Sequence, residues 1–127
     1  MGNGTSIGRV RGLGSAHSGA HHWLLQRFTA VGNLLLSMWL VVSLILLPDL
    51  GYETVSQWIA KPLPATAMAL LIVSTFWHAR LGLQVVIEDY VHDAANKFAA
   101  IVALNLAAFA GAAFGLFCVA RLALGAN

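Results

Sequence analysis

Apolar residues run along this chain in three long stretches, Phe28–Leu47, Ala65–Ile87 and Phe98–Ala120, with few polar interruptions. A helix rising 1.5 Å per residue needs about 20 such residues to cross a hydrocarbon layer about 30 Å thick, and each stretch is long enough. Pro48 stops the first. Pro62 and Pro64 precede the second, Glu88 and Asp89 close it, and Arg121 closes the third. The pattern predicts an all-α integral membrane protein with three transmembrane helices in a single membrane domain, residues 1–127. Between the first two spans, Gly51–Lys61, with Trp58 and Ile59, predicts a short amphipathic segment on the outer surface. The first span begins too late and runs too long for the apolar region of a signal peptide, and no small-x-small site follows it. It is read as a retained helix.

Composition narrows the class further. The chain is 59% hydrophobic and 9% charged, with mean hydropathy +0.78, whereas soluble domains carry about 25% charge. A water-covered globule is excluded by that deficit, and disorder by the high hydrophobicity. The seven Lys and Arg are scattered, so no basic patch exists for nucleic acid. The single cysteine, Cys118, lies in an apolar run and reads as a core or lipid-facing residue.

The basic residues also set an orientation. Arg9, Arg11 and Arg27 precede the first span and Lys97 lies in the second loop, with Arg80 about two turns inside span two; Lys61 and Arg121 lie on the other side. By the positive-inside rule the N-terminus is cytoplasmic, or on the matrix side of a mitochondrial-type membrane. The glycine-rich start (Gly2, Gly4, Gly8, Gly12, Gly14, Gly19) reads as mobile, and His17, His21, His22 and Trp23 follow it toward the interface.

Candidate chemistry collects on span two. His78 is the only histidine inside an apolar stretch, and ionisable groups at membrane depth face a protein interior, a cavity or a cofactor. Ser74 and Gly82 flank it one turn away on either side. Two readings stand: an axial ligand to haem iron, with Gly82 leaving room for a flat group, or a histidine hydrogen-bonded to a neighbouring helix. A second axial histidine would come from another chain. A stand-alone two-haem cytochrome is disfavoured, because it would need about four axial ligands. The span ends in Glu88, Asp89, Tyr90, His92 and Asp93. A phenol beside a carboxylate suits a quinone, and also suits an ordinary interfacial helix end. Arg27 either snorkels to lipid phosphates or pairs with a haem propionate. Ala103, Ala107, Gly111 and Gly115 recur every fourth residue on span three, a spacing that admits a neighbouring helix.

Taken together, His78-Ala79-Arg80-Leu81-Gly82-Leu83-Gln84-Val85-Val86-Ile87-Glu88-Asp89-Tyr90 resembles the second-helix signature of the hydrophobic membrane-anchor D subunits of succinate dehydrogenase, respiratory complex II. His78, Gly82, Gln84, Asp89 and Tyr90 match its pattern. His21-His22-Trp23-Leu24-Leu25-Gln26-Arg27-Phe28-Thr29-Ala30 resembles the family's approach to helix one. The resemblance implies a membrane-anchor subunit that packs with a cytochrome b-type C subunit. The two would anchor an iron–sulfur subunit and a flavoprotein carrying FAD, and electrons would pass from succinate to ubiquinone. It implies His78 as one axial ligand of a haem b shared with the C subunit, and so as the chain's contact with metal. Arg27 and His21 would lie near the haem propionates. Tyr90 would hydrogen-bond the quinone, while Asp89 orients an arginine of the C subunit. The isolated chain would have no complete active site; the enzyme is the assembled complex. The implied location is the bacterial inner (cytoplasmic) membrane, in preference to the mitochondrial inner membrane. The alternatives are the anchor of a quinol:fumarate reductase, or a non-catalytic membrane scaffold.

The charge asymmetry generates the first prediction. A reporter fused after Asn127 is expected to be active only on the periplasmic or intermembrane-space side. A cytoplasmic C-terminus would overturn the count of three spans.

Overall fold

The computed structural model describes residues 19–125. The glycine-rich start, with Arg9, Arg11 and His17, lies outside them. The helices, in chain order, are α1 (Gly19–Ile45), α2 (Tyr52–Ile59), α3 (Pro62–Tyr90) and α4 (Ala94–Ala123). The described residues contain no strand. As the apolar stretches predict, α1, α3 and α4 are each long and apolar enough to cross a membrane.

These helices outrun the apolar stretches. They contain 27, 29 and 30 residues, or about 40–45 Å at 1.5 Å per residue, so their ends exceed the hydrocarbon layer. The helix continues past its apolar part because it satisfies its own backbone hydrogen bonds in either medium. The extension is largest in α1, where the segment His21–Arg27, which carries His21, His22, Gln26 and Arg27, is helical. At the start of α3 both prolines lie in the first turn. Proline is tolerated there because the first N–H groups have no intrahelical partner.

Local side-chain chemistry sets the turns. After α1 closes, the Asp49 carboxylate accepts hydrogen bonds from the Gly51 N–H at 2.7 Å and the Thr54 hydroxyl at 2.9 Å. This pins the start of α2, the predicted amphipathic segment. Trp58 of α2 stacks on Trp39 of α1 with ring centroids 5.6 Å apart, and Ile59 is buried. Asp93 caps α4, accepting from the Asn96 N–H at 2.9 Å. Gly125, with φ +67°, lies just past the end of α4 in the left-handed conformation that favours glycine.

α3 is the central helix. It packs against both α1 and α4, which do not pack against each other. Its two seams differ in kind. The α1 seam is polar: His78 meets Thr29, and the Ser74 hydroxyl donates to the Thr29 carbonyl at 3.3 Å. A Cβ on Gly32 would sit 3.4 Å from the Ser74 hydroxyl, so the two backbones approach closely there. The α4 seam is steric. A Cβ on Gly111 would enter the ring of Phe76, and one on Gly115 would come within 3.0 Å of Ile72 Cγ2.

The small-residue stripe therefore does find a neighbour, and the neighbour is α3 of the same chain. Only its second half packs closely, since Ala103 and Ala107 are exposed. Residues four apart rotate by about 40° around a helix of 3.6 residues per turn, so a four-membered stripe drifts off any single face.

The chain has no dry core of its own. Among the described residues no large side chain is fully buried, and Phe28, Leu46, Phe98, Phe114 and many others stand exposed. Cys118 is half-buried and free. Such a surface suits lipid and protein neighbours.

Substitution at the α3–α4 contact tests this packing. Gly111→Ala is expected to destabilise the chain by about 1–3 kcal/mol through overpacking against Phe76, read as lowered thermal resistance in detergent or lipid. Gly19→Ala, whose Cβ meets nothing within 4 Å, should be neutral or better. Equal stability of the two variants would contradict the seam.

Candidate functional site

His78 lies mid-helix in α3, where sequence and packing converge. Thr29 stands opposite on α1 and is the buried polar residue among those described, 9% exposed. The Thr29 Oγ1 is 3.1 Å from His78 Nδ1, 2.8 Å from the Leu25 carbonyl and 3.1 Å from the Gln26 carbonyl. Threonine in a helix commonly bonds back to the carbonyl one turn earlier, which holds its oxygen at the α3 face. His78 Nε2 has no hydrogen-bond partner among the described residues. His78 thus satisfies the reading of a histidine bonded to a neighbouring helix through one nitrogen and leaves the other available. An imidazole accommodates both roles at once.

The histidine lines a cavity of about 190 Å³ with Trp23, Gln26, Arg27 and Ala30. α1 and α3 are antiparallel, so the polar start of α1 meets the C-terminal half of α3. The Arg27 guanidinium lies over the Trp23 ring, 5.4 Å from its centroid, which keeps a cation at the cavity wall without an acidic partner among the described residues. A Cβ on Gly82 would have only Gln26 Nε2 nearby, at 3.9 Å. The space beside Gly82 is therefore open apart from that amide.

The expected site residues separate into two groups. His78 and Arg27 share the cavity. His21 is exposed on α1 and outside its lining, while the adjacent His22 is half-buried, its Nε2 enclosed and without a partner among the described residues. Asp89 and Tyr90 are exposed at the end of α3, Tyr90 at 78%. Near them Gln84 donates to the Glu88 carboxylate at 2.7 Å, and Lys97 donates to the Glu88 carbonyl at 3.1 Å, which ties the α3 end to the start of α4.

Thr29 and Asn105 escaped the sequence reading. Asn105 is the lone amide or hydroxyl residue of the third apolar stretch, and that isolation is a signal for finding it; Thr29 shares its stretch with Asn33, Ser37 and Ser43, and nothing in the sequence singles it out. Asn105 of α4 accepts a hydrogen bond from Arg80 Nε, and the Arg80 guanidinium lies 5.6 Å from the Trp77 ring centroid. Arg80 is thus held at membrane depth between α3 and α4. It borders a second cavity of about 270 Å³, otherwise walled by apolar side chains such as Val73, Phe76, Phe109 and Leu116. Among the described residues no group of three or more His, Cys, Asp or Glu is placed to hold a bare metal ion.

Three helices long and apolar enough to cross a membrane, with extensive apolar surface exposed, define a class: an integral membrane protein. Known proteins give the particular family. Residues 1–112 match the succinate dehydrogenase/fumarate reductase transmembrane subunit family. The succinate dehydrogenase hydrophobic membrane anchor subunit of Rickettsia bellii (strain RML369-C) is 34% identical over 100 residues, covering 79% of this chain and 80% of the relative. That of Rickettsia conorii (strain ATCC VR-613 / Malish 7) is 38% identical over 101 residues, covering 77% and 80%. That of Paracoccus denitrificans is 31% identical over 118 residues, covering 92% and 90%. The chain belongs to the family of succinate dehydrogenase/fumarate reductase transmembrane subunits, as the resemblance in its second span implies.

Proposed function

We propose that the chain anchors a succinate:ubiquinone oxidoreductase in the bacterial inner membrane, supplying one axial ligand of a shared haem b and part of the ubiquinone site. The single observation that carries this reading is the His78 imidazole. Its Nδ1 meets Thr29, and its Nε2 is without a partner among the described residues, beside a cavity walled by Arg27. The donor set fits haem: a neutral imidazole suits the iron, and the guanidinium suits a propionate carboxylate. When bound, haem b supplies a one-electron couple whose potential depends on its axial ligands and their hydrogen bonds.

The chain's own groups have limited roles. His78 donates a lone pair from Nε2. Arg27 pairs with a propionate carboxylate at the cavity wall; the family pattern adds His21 near the propionates, although in this chain it stands outside the cavity lining. Tyr90 donates a phenolic hydrogen bond to a quinone oxygen, and Asp89 orients an arginine of the partner C-type anchor. Their exposure in this chain agrees with a site that the partner completes. The C-type subunit supplies the second axial histidine, while the iron–sulfur subunit and the FAD-bearing flavoprotein deliver electrons from succinate. The complex converts succinate and ubiquinone to fumarate and ubiquinol. The quinol:fumarate reductase direction would use the same groups, and the succinate dehydrogenase subunits among the relatives favour the forward reading.

Two measurements test it. His78→Ala in the assembled complex is expected to abolish or alter the low-spin b-haem spectrum, because losing an axial ligand changes the spin state or releases the cofactor. An unchanged spectrum would remove His78 from the iron. Tyr90→Phe is expected to weaken quinone binding by about 0.5–1.5 kcal/mol, the loss of one neutral hydrogen bond. Succinate-dependent quinone reduction should fall at subsaturating quinone, while succinate oxidation by a soluble flavin-level acceptor stays intact. Unimpaired quinone reduction would return Tyr90 to the role of interfacial anchor.

A further inference from the structure

We infer that Thr29 is a positioning residue for His78: its hydroxyl oxygen accepts the Nδ1–H and thereby presents Nε2 as the bare lone pair. This rests on the reading of His78 as a haem ligand. Three groups crowd the Thr29 hydroxyl, at 2.8 Å (Leu25 carbonyl), 3.1 Å (Gln26 carbonyl) and 3.1 Å (His78 Nδ1). The hydroxyl has one proton, and a carbonyl can only accept. With that proton on the nearer carbonyl, a lone pair on Nδ1 would face a lone pair on oxygen. The contact becomes favourable when Nδ1 carries the proton and donates it. The ring then carries no proton on Nε2, the form that binds iron.

The surrounding contacts hold this arrangement. Thr29 is almost wholly buried, so water does not compete for its hydroxyl. One turn before His78 on α3, Ser74 donates to the Thr29 carbonyl at 3.3 Å, tying the same residue to α3 a second time. The helix turn Leu25–Thr29 fixes the height of the hydroxyl, and the close approach at Gly32 fixes its distance from the ring. A hydrogen bond from the distal N–H of a ligating histidine fixes ring orientation and raises ligand basicity. Greater basicity favours the oxidised iron, so losing the bond should move the midpoint potential upward.

The test compares Thr29→Ser, which keeps the hydroxyl, with Thr29→Val and Thr29→Ala, which remove it, in the complete purified complex. Readouts are the midpoint potential of haem b, its low-spin resonance spectrum, and haem retention relative to flavin or iron–sulfur content. The expected result is a potential near the parent's in Thr29→Ser. In the other two variants the potential should shift upward, the spectrum should change, and haem retention should weaken about tenfold. Potentials, spectra and retention unchanged in the hydroxyl-free variants would overturn the proposal and leave His78 as a ligand. So would a Thr29→Ser complex that behaves like Thr29→Val. Failure of both hydroxyl-free variants to assemble, with Thr29→Ser intact, would make the contact purely structural and also overturn it. A parent complex without haem b would overturn the ligand reading together with this one.

Discussion

An imidazole in the middle of a membrane-spanning helix has no water to satisfy its nitrogens, so the protein must supply a partner or bear the cost. In this chain the partner is Thr29, and its contact with His78 governs how the first two spans fit together. It fixes the register of α1 against α3, it needs the close backbone approach at Gly32, and it leaves one ring nitrogen of this cavity-lining residue without a partner among the described residues. Threonine suits the position because its hydroxyl can bond back to its own helix while its oxygen accepts from the neighbour.

The central helix uses different physics on its two sides. Toward α1 it matches polar groups, with Thr29, His78 and Ser74 in one run. Toward α4 it relies on the absence of side chains, at Gly111 and Gly115, together with the polar pair Arg80–Asn105. Lipid tails provide no hydrophobic drive between helices, so association depends on such close packing and on interhelical hydrogen bonds. The polar seam orients the ring. The steric seam keeps α3 from rotating, which would carry His78 away from the cavity.

The exposed surface is a consequence of the arrangement. A chain of 127 residues arranged as one central helix with two flanking helices can orient a single histidine and present a polar helix end. It leaves extensive apolar surface exposed, and it leaves Asp89 and Tyr90 open at the edge. Membership in a family of transmembrane subunits implies partner subunits in a complex; on the proposed reading they cover that surface and complete the site.

Much of this was legible along the chain. Three apolar runs long enough to span a bilayer require three helices, because no other single-chain segment satisfies its backbone in hydrocarbon. His78 stood out as the only histidine within an apolar run, and the block from His78 to Tyr90 carried a resemblance to the family that the family match and the relatives show over most of the chain. Helix ends were less legible, because hydropathy marks where lipid ends and hydrogen bonding marks where the helix ends. That difference is widest at the start of α1. Which helix the small-residue stripe meets, and that only Gly111 and Gly115 of it pack closely, was decided by the tertiary structure. So was the pairing of Thr29 with His78 across 49 residues. Sequence alone determined that an imidazole sits inside the membrane, since burial is dictated by local composition. It left open which of the imidazole's nitrogens is engaged, because a hydrogen bond depends on the distance between two helices, and that distance is a property of their packing.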